Sequence, residues 1–340
     1  MKGGQLMPVA RPVYLDYNAT APLRPEAAEA MIAALREPSN PSSVHQFGRA
    51  ARAQMEIARK TIADAVQVQP SAVTFTSGGT ESNNMILARF QTVFASSVEH
   101  EAVLAACPES YQIDVDENGV TSLDHLDTLL SAVPNEEKDG VLVSVMAANN
   151  ETGVIQPLRD IGILCRQHQV TFHSDMVQAF GKLEISPEDD NIDYLTISGH
   201  KIGAPAGIGA VWCRAGRPLH SLLAGGGQER GRRSGTENLS GICGFAAAAL
   251  AAQPSELEHM QLWRDEAEQM ITQHCPQIEI IGANAERLVN TSCLFLPGLE
   301  AQTAIMALDL AGFAVSSGSA CSSGKVTSSH VLTAMGRGDA

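Results

Sequence analysis

Two spacings of apolar residues alternate along most of this chain, and their alternation predicts its architecture. Behind Pro25, a residue suited to the first turn of a helix, Ala28, Met31, Ile32 and Leu35 share one helical face. Asn40-Pro41-Ser42-Ser43 breaks that helix, and past Gly48 a second one carries Met55, Ala58, Ile62 and Ala65 on a single stripe. Shorter runs follow in turn: strand over 72–76, helix over 81–89, strand over 92–96, a buried strand over 141–147, helix over 158–168 and strand over 170–173. A further apolar run ends at Ile197, and another ends at Trp212 beyond a Gly/Pro-rich loop. Such alternation predicts βαβ units: an α/β fold with a mostly parallel sheet, helices on both faces, and ligands at the carboxyl ends of the strands.

The pattern changes near Leu239. Helices over 246–252 and 257–274 lead into short strands (279–281, 292–296, 313–316) around one helix, 300–310, which reads as a smaller α+β domain. The expected division is a large domain over 16–256 and a small one made of 1–15 with 257–340. Low complexity is confined to Ser316 through Gly324, the loop that holds Cys321.

Composition narrows the function classes. Against 38 Asp and Glu stand 23 Lys and Arg, and the resulting charge of −15 is spread without blocks, which argues against a nucleic-acid surface or a polybasic membrane patch. No apolar run approaches the roughly 20 residues of a membrane helix, and the first residues lack the core of a signal peptide, so a cytoplasmic location is expected. Seven cysteines, an odd number without any C-x-x-C, fit free thiols in a reducing compartment.

The chemistry collects at strand ends. The run 193–197 stops at Ser198-Gly199-His200-Lys201, which displays one amine beside a histidine; a lysine held there can lose its proton and attack a carbonyl. Thr76 through Ser82 joins a strand to a helix through Gly78-Gly79, so backbone N–H groups and the Thr80 hydroxyl are free for an anion. Glu99-His100-Glu101 sets a histidine at a helix start, and Asn149-Asn150 offers amides after a buried strand. Asp175 falls just beyond the strand that ends at His173, where a carboxylate needs a cation to meet it. His168, His173 and Asp175 lack the paired spacing of a zinc site, and a protonated pyridine nitrogen suits Asp175 better. An anion cradle, a carboxylate for a pyridinium, a histidine, amides and an amine for an aldehyde together describe pyridoxal phosphate. Two other phosphate motifs fail. Gly318 to Val326 has five residues between its glycines and a valine where a P-loop needs a hydroxyl, and Gly225 to Gly231 lacks a strand-turn-helix setting.

The same residues resemble a known family. From about Val13 to Gly336, the motifs Leu15 to Thr20, Asn40 to Ser43, Ser77 to Asn83, Asn149 to Gly153, Ser198 to Lys201, Arg233 to Thr236 and Ser316 to Cys321 occur in the order found in cysteine desulfurases of the NifS/IscS type. These are pyridoxal-phosphate enzymes of the class V aminotransferase group with the aspartate aminotransferase type of fold (fold type I). The resemblance implies that Lys201 carries the cofactor, that Thr80, Ser198 and His200 bind its phosphate, that Asp175 meets the ring nitrogen, and that Gln178 and Asn150 lie on the ring-hydroxyl side. It implies that His100 stacks on the ring and moves protons, and that Thr236 reaches the phosphate in the other subunit of a homodimer. It further implies that L-cysteine becomes L-alanine while Cys321 takes the sulfur as a persulfide. An iron-sulfur scaffold or a tRNA-thiolation protein would then receive that sulfur. Serine and glycine around Cys321 would let its thiol move between ring and acceptor.

The resemblance has one departure. Family members continue past the helix read over 328–335 into a strand whose arginine holds the substrate carboxylate, whereas this sequence stops at Ala340 and its Arg337 does not match that motif. The alternatives are therefore another pyridoxal-phosphate lyase or aminotransferase, such as a selenocysteine lyase, and a binding module impaired in catalysis.

Overall fold

The computed structural model describes residues 12–38, 40–107, 111–318 and 328–337. The chain begins with a two-residue strand β1 (Val13–Tyr14), then α1 (Pro25–Leu35) and α2 (Gln46–Ala65). Pro25 opens α1 as anticipated, and α2 buries Ala51, Met55, Ala58 and Ile62 along one stripe. Next come β2 (Val73–Thr76), α3 (Gly79–Leu87), β3 (Thr92–Ser96), α4 (Glu101–Leu104), β4 (Tyr111–Ile113) and α5 (Leu123–Ser131). The α/β part closes with β5 (Val141–Ser144), α6 (Leu158–His168), β6 (Thr171–Asp175), β7 (Tyr194–Ser198), β8 (Gly209–Cys213) and α7 (Leu239–Ala251).

Seven of these strands form one sheet in the order β2-β8-β7-β6-β5-β3-β4. β8 runs antiparallel to both of its neighbours and every other pairing is parallel, so six strands point the same way. Strands buried on both faces need continuous apolar runs, and Val141, Leu142, Val143, Leu195 and Ile197 supply them. Helices α1, α2 and α7 pack together, and the main core joins Ile62, Phe75, Phe172, Trp212 and Phe245.

Beyond α7 lie α8 (Met260–His274), the antiparallel pair β9 (Glu279–Ile280) and β10 (Leu294–Phe295), α9 (Ala301–Leu310), β11 (Phe313–Ala314) and α10 (His330–Ala334). β1 pairs in parallel with β11, Val13 opposite Phe313.

Four details depart from the pattern-based reading. β4 and α5 are additional elements: β4 has three residues, two of them exposed, and α5 buries only Leu126 and Leu130, so neither leaves a long periodic trace. α7 starts at Leu239 instead of 246 because Asn238 caps it, accepting from the Gly241 N–H at 3.1 Å; Gly241 and Gly244 had masked the helical signal. The helical turn at 254–257 is separate from α8, which starts at Met260. Asp175 is the last residue of β6, within the strand and not beyond it.

A buried ion pair ties the segment after β8 to this sheet. Arg59 of α2 donates to both oxygens of Glu229 at 2.7 Å, Glu229 also accepts from the Phe75 N–H at 2.9 Å, and the guanidinium lies 4.8 Å from the centre of the Phe75 ring. Both side chains are almost wholly buried, and Glu229 and Arg230 adopt positive φ to reach this arrangement. Removing one partner of such a pair strands the other charge. Arg59→Met is expected to cost about 3–5 kcal/mol in urea unfolding, and Arg59→Met with Glu229→Leu to recover most of that loss.

Candidate active site

Because β2, β3, β5, β6 and β7 run in the same direction, the segments that follow them leave the sheet at one edge. Those segments carry the candidate residues: Thr80 after β2, His100 after β3, Asn150 after β5, Asp175 and Gln178 at β6, and Ser198, His200 and Lys201 at β7. Strand order, which no single motif contains, is what gathers them.

The anion end is built from glycine. Gly78 sits at φ +150° and ψ −173°, a region that only glycine occupies readily. A Cβ on Gly209 would lie 2.7 Å from the Gly78 Cα, so the start of β8 touches this turn and only a bare backbone fits. No side chain caps α3, which leaves its first-turn N–H groups open to an anion. Ser198 is buried beside the Gly78 turn, and Thr80 is exposed at the mouth. Burial, reinforced by the charge of Lys201, pulls the His200 imidazole down to about 4, so it is a neutral donor at pH 7.

The acidic end is Asp175, 6% exposed. Its two oxygens accept from the Asn83 side-chain amide at 2.7 Å and from the Val177 N–H at 2.9 Å. Both are neutral donors, so they orient the carboxylate without cancelling its charge. Asn83 lies three residues after Thr80 on α3, so a single helix carries both the anion cradle and the group that aims Asp175.

Between these ends lies Lys201, on the helical turn Gly199–Lys201. Its amine donates to the carbonyl of Asn18, and to that of Ala19 at 3.0 Å. Gln178, 4% exposed, donates to the same Asn18 carbonyl at 2.9 Å. The Asn18 side chain in turn donates to the Asn150 carbonyl at 3.1 Å and to Thr291 Oγ1 at 2.9 Å. His100 caps α4 through Nδ1, which accepts from the Ala102 N–H at 3.0 Å and leaves Nε2 as the nitrogen that can carry a proton.

Thr236 is exposed on the segment held by Glu229, and its neighbour Arg233 donates to Glu81 at 2.9 Å. Burial raises the Glu81 carboxyl, but hydrogen bonds from Arg233 and Ser77 outweigh it and hold the group below its ordinary value. Cys321 lies outside the described residues. Sequence reasoning gave no individual role to Asn18, Asn83 or Glu81. All three stood inside the family motifs, yet the distant partners that place them are 92 to 273 positions away and only the fold reveals them.

These residues fit pyridoxal phosphate. The uncapped α3 with Ser198 and His200 suits a phosphate, a buried carboxylate oriented by two neutral donors suits a protonated ring nitrogen, and a strand-end amine suits an aldehyde. Among the described residues no group of three or more His, Cys, Asp or Glu could hold a metal ion.

Comparison with known proteins agrees with that reading. The family model for aminotransferase class-V matches residues 13–336. Cysteine desulfurase IscS of Dictyoglomus turgidum is 38% identical over 344 residues, covering 96% of this chain and 86% of that protein. A NifS-like protein from Rickettsia africae superimposes with a TM-score of 0.89 at 35% identity, over 96% of this chain and 90% of its own. A structure described as SspA in complex with cysteine superimposes at 0.81 with 30% identity, over 95% and 94% of the two chains.

Two outcomes follow from this geometry. Asn83→Ala leaves one Asp175 oxygen without its donor and is expected to weaken uptake of pyridoxal phosphate by about tenfold, read by absorbance titration of the apoprotein. The pair Glu81–Arg233 contributes fully above the unfolded carboxyl value of 4.5 and loses its contribution as pH falls through the lower folded value. The urea-midpoint difference between wild type and Arg233→Met should therefore shrink from about pH 6 to about pH 3.

Proposed function

This chain belongs to the aminotransferase class-V family, uses pyridoxal 5'-phosphate, and acts, we propose, as a cysteine desulfurase that converts L-cysteine to L-alanine and passes on the sulfur. The observation that carries the reading is the placement of Lys201 at the end of β7 beside Asp175 at the end of β6, in a chain that aligns with cysteine desulfurases over nearly its whole length.

When bound, the cofactor takes up the substrate's amino group and withdraws electrons from its Cα. The chain's own residues do the rest. The N–H groups of α3, Ser198 and His200 would hold the phosphate, and Asp175 would favour a proton on the ring nitrogen. Lys201 would carry the cofactor through its ε-nitrogen and move the Cα proton, with His100 Nε2 as a second proton carrier. Gln178 and Asn150 would meet the ring hydroxyl. The thiolate of Cys321 bonds to the substrate sulfur as the substrate's Cβ–S bond breaks, and the carbon collects a proton to become alanine. The persulfide then goes to an acceptor protein, an iron-sulfur scaffold or a tRNA-thiolation partner.

Burial disfavours five of the other six cysteines as nucleophiles. Burial pushes the Cys107 thiol up to about 11 and that of Cys293 up to about 12, and it raises Cys165, Cys213 and Cys243 as well. Thiols held protonated in this way are poor nucleophiles. The working unit is a cytoplasmic homodimer in which Thr236 completes the partner's phosphate site. Exposed Val44, Phe47, Ile57 and Leu223 offer apolar surface for that pairing. Among the described residues no helix is long and apolar enough to cross a membrane.

Borohydride reduction of the loaded protein is expected to fix the label on Lys201 and nowhere else. Cys321→Ser should keep the bound cofactor's absorbance yet lose alanine release from L-cysteine by about a hundredfold or more. Label on another residue, or unchanged alanine release in Cys321→Ser, would refute the assignment.

A further inference from the structure

Lys182 is a part-buried amine that no step above uses. It follows Gln178 by four residues on the helical turns after β6, and its Nζ donates to Gln178 Oε1 at 2.9 Å. Burial first, and the charge of Lys201 second, pull its amine down to about 7. A cation is costly in such a place and does not arise there for solubility.

Consider what the hydrogen bond does to Gln178. A carboxamide has one accepting and one donating end, and its two orientations are nearly isosteric. As an ammonium Lys182 has N–H donors and no lone pair, so in that form Oε1 must face it, the orientation seen at 2.9 Å. Nε2 must then face the opposite way, toward the Asn18 carbonyl and Lys201, where it already donates at 2.9 Å. In the loaded site the ring oxygen of the cofactor needs a donor from Gln178. A flipped amide would offer it an acceptor and repel it.

We propose that Lys182 is a positioning residue that locks the Gln178 carboxamide with its N–H end toward the ring hydroxyl of bound pyridoxal phosphate. The proposal rests on the reading of Lys201 and Gln178 as cofactor residues and adds to it a residue that never touches the cofactor.

A double-mutant cycle tests it, with pyridoxal phosphate titrated into apoprotein and both dissociation constant and visible absorbance maximum recorded. Lys182→Met is expected to weaken uptake by about tenfold and to move the absorbance maximum, since a charge-assisted bond that holds a buried amide is lost. Lys182→Arg keeps a donor and should stay within about threefold of wild type. In a Gln178→Leu background, Lys182→Met should change nothing further, beyond about twofold. The proposal fails if Lys182→Met leaves both readouts unchanged, if its effect adds in full to that of Gln178→Leu, or if Lys182→Arg is as impaired as Lys182→Met. Should Lys182→Met not fold, the arginine variant in both backgrounds decides alone, with threefold retention expected in the first and none to lose in the second. Failure of the underlying reading is visible separately, as a wild-type protein that takes up no pyridoxal phosphate, and it would overturn both.

Discussion

One hydrogen bond sets the dimensions of the site, the 2.7 Å contact between the Asn83 amide and the Asp175 carboxylate. Pyridoxal phosphate is a rigid ring with a phosphate on one side and a nitrogen on another, so its two anchors must be held at a fixed separation. In the proposed reading the phosphate anchor is the N-terminus of α3 and the nitrogen anchor ends β6. Asn83 belongs to α3 and grips the carboxylate at the end of β6, so shifting α3 would disturb both ends together. The glycine contact between Gly78 and Gly209 serves the same purpose from the sheet side, because it lets β8 lie against the turn that opens α3.

Elsewhere the protein handles buried acids in three ways, and the contrast explains why Asp175 is suited to a cationic ligand. Asp193, 1% exposed, is within 3.4 Å of Arg166, Arg214 and Arg217 and is thus neutralised by protein cations. Glu229 is matched by Arg59. Glu99, wholly buried, accepts from the Met146 N–H; burial, strengthened by the charge of Asp175, pushes its carboxyl well up, which favours the neutral acid. Asp175 differs from all three: two neutral donors, the Asn83 amide and the Val177 N–H, orient its oxygens, an arrangement that suits a carboxylate meant to meet a cationic ligand.

Asn18 shows how the remaining parts are tied together. Its carbonyl collects the Lys201 amine and the Gln178 amide, while its side chain reaches the Asn150 carbonyl and Thr291. Three strand ends and the 290–291 turn therefore converge on a residue that precedes the first helix. With Lys182 behind Gln178, the amide is gripped at both ends.

Much of this was legible without coordinates. Period-two and period-three-to-four patterns are local physics, since each strand or helix must bury its own apolar stripe, and they gave the α/β alternation and nearly every long element. Lys201, Asp175 and Thr80 could be proposed from the sequence because each stands at a strand end or helix start with a side chain suited to the chemistry proposed for it. Elements with few buried residues, such as β4 and α5, left no such trace. The partners of Asn83, Glu81, Asn18 and Lys182 were beyond the reach of any pattern where they lie far apart in the chain or act through an amide's orientation. Sequence thus determined which strand ends carry the candidate groups, because burial writes itself into local spacing. Only the tertiary structure decided how those groups face one another, because hydrogen bonds between distant segments depend on strand order, and strand order has no period.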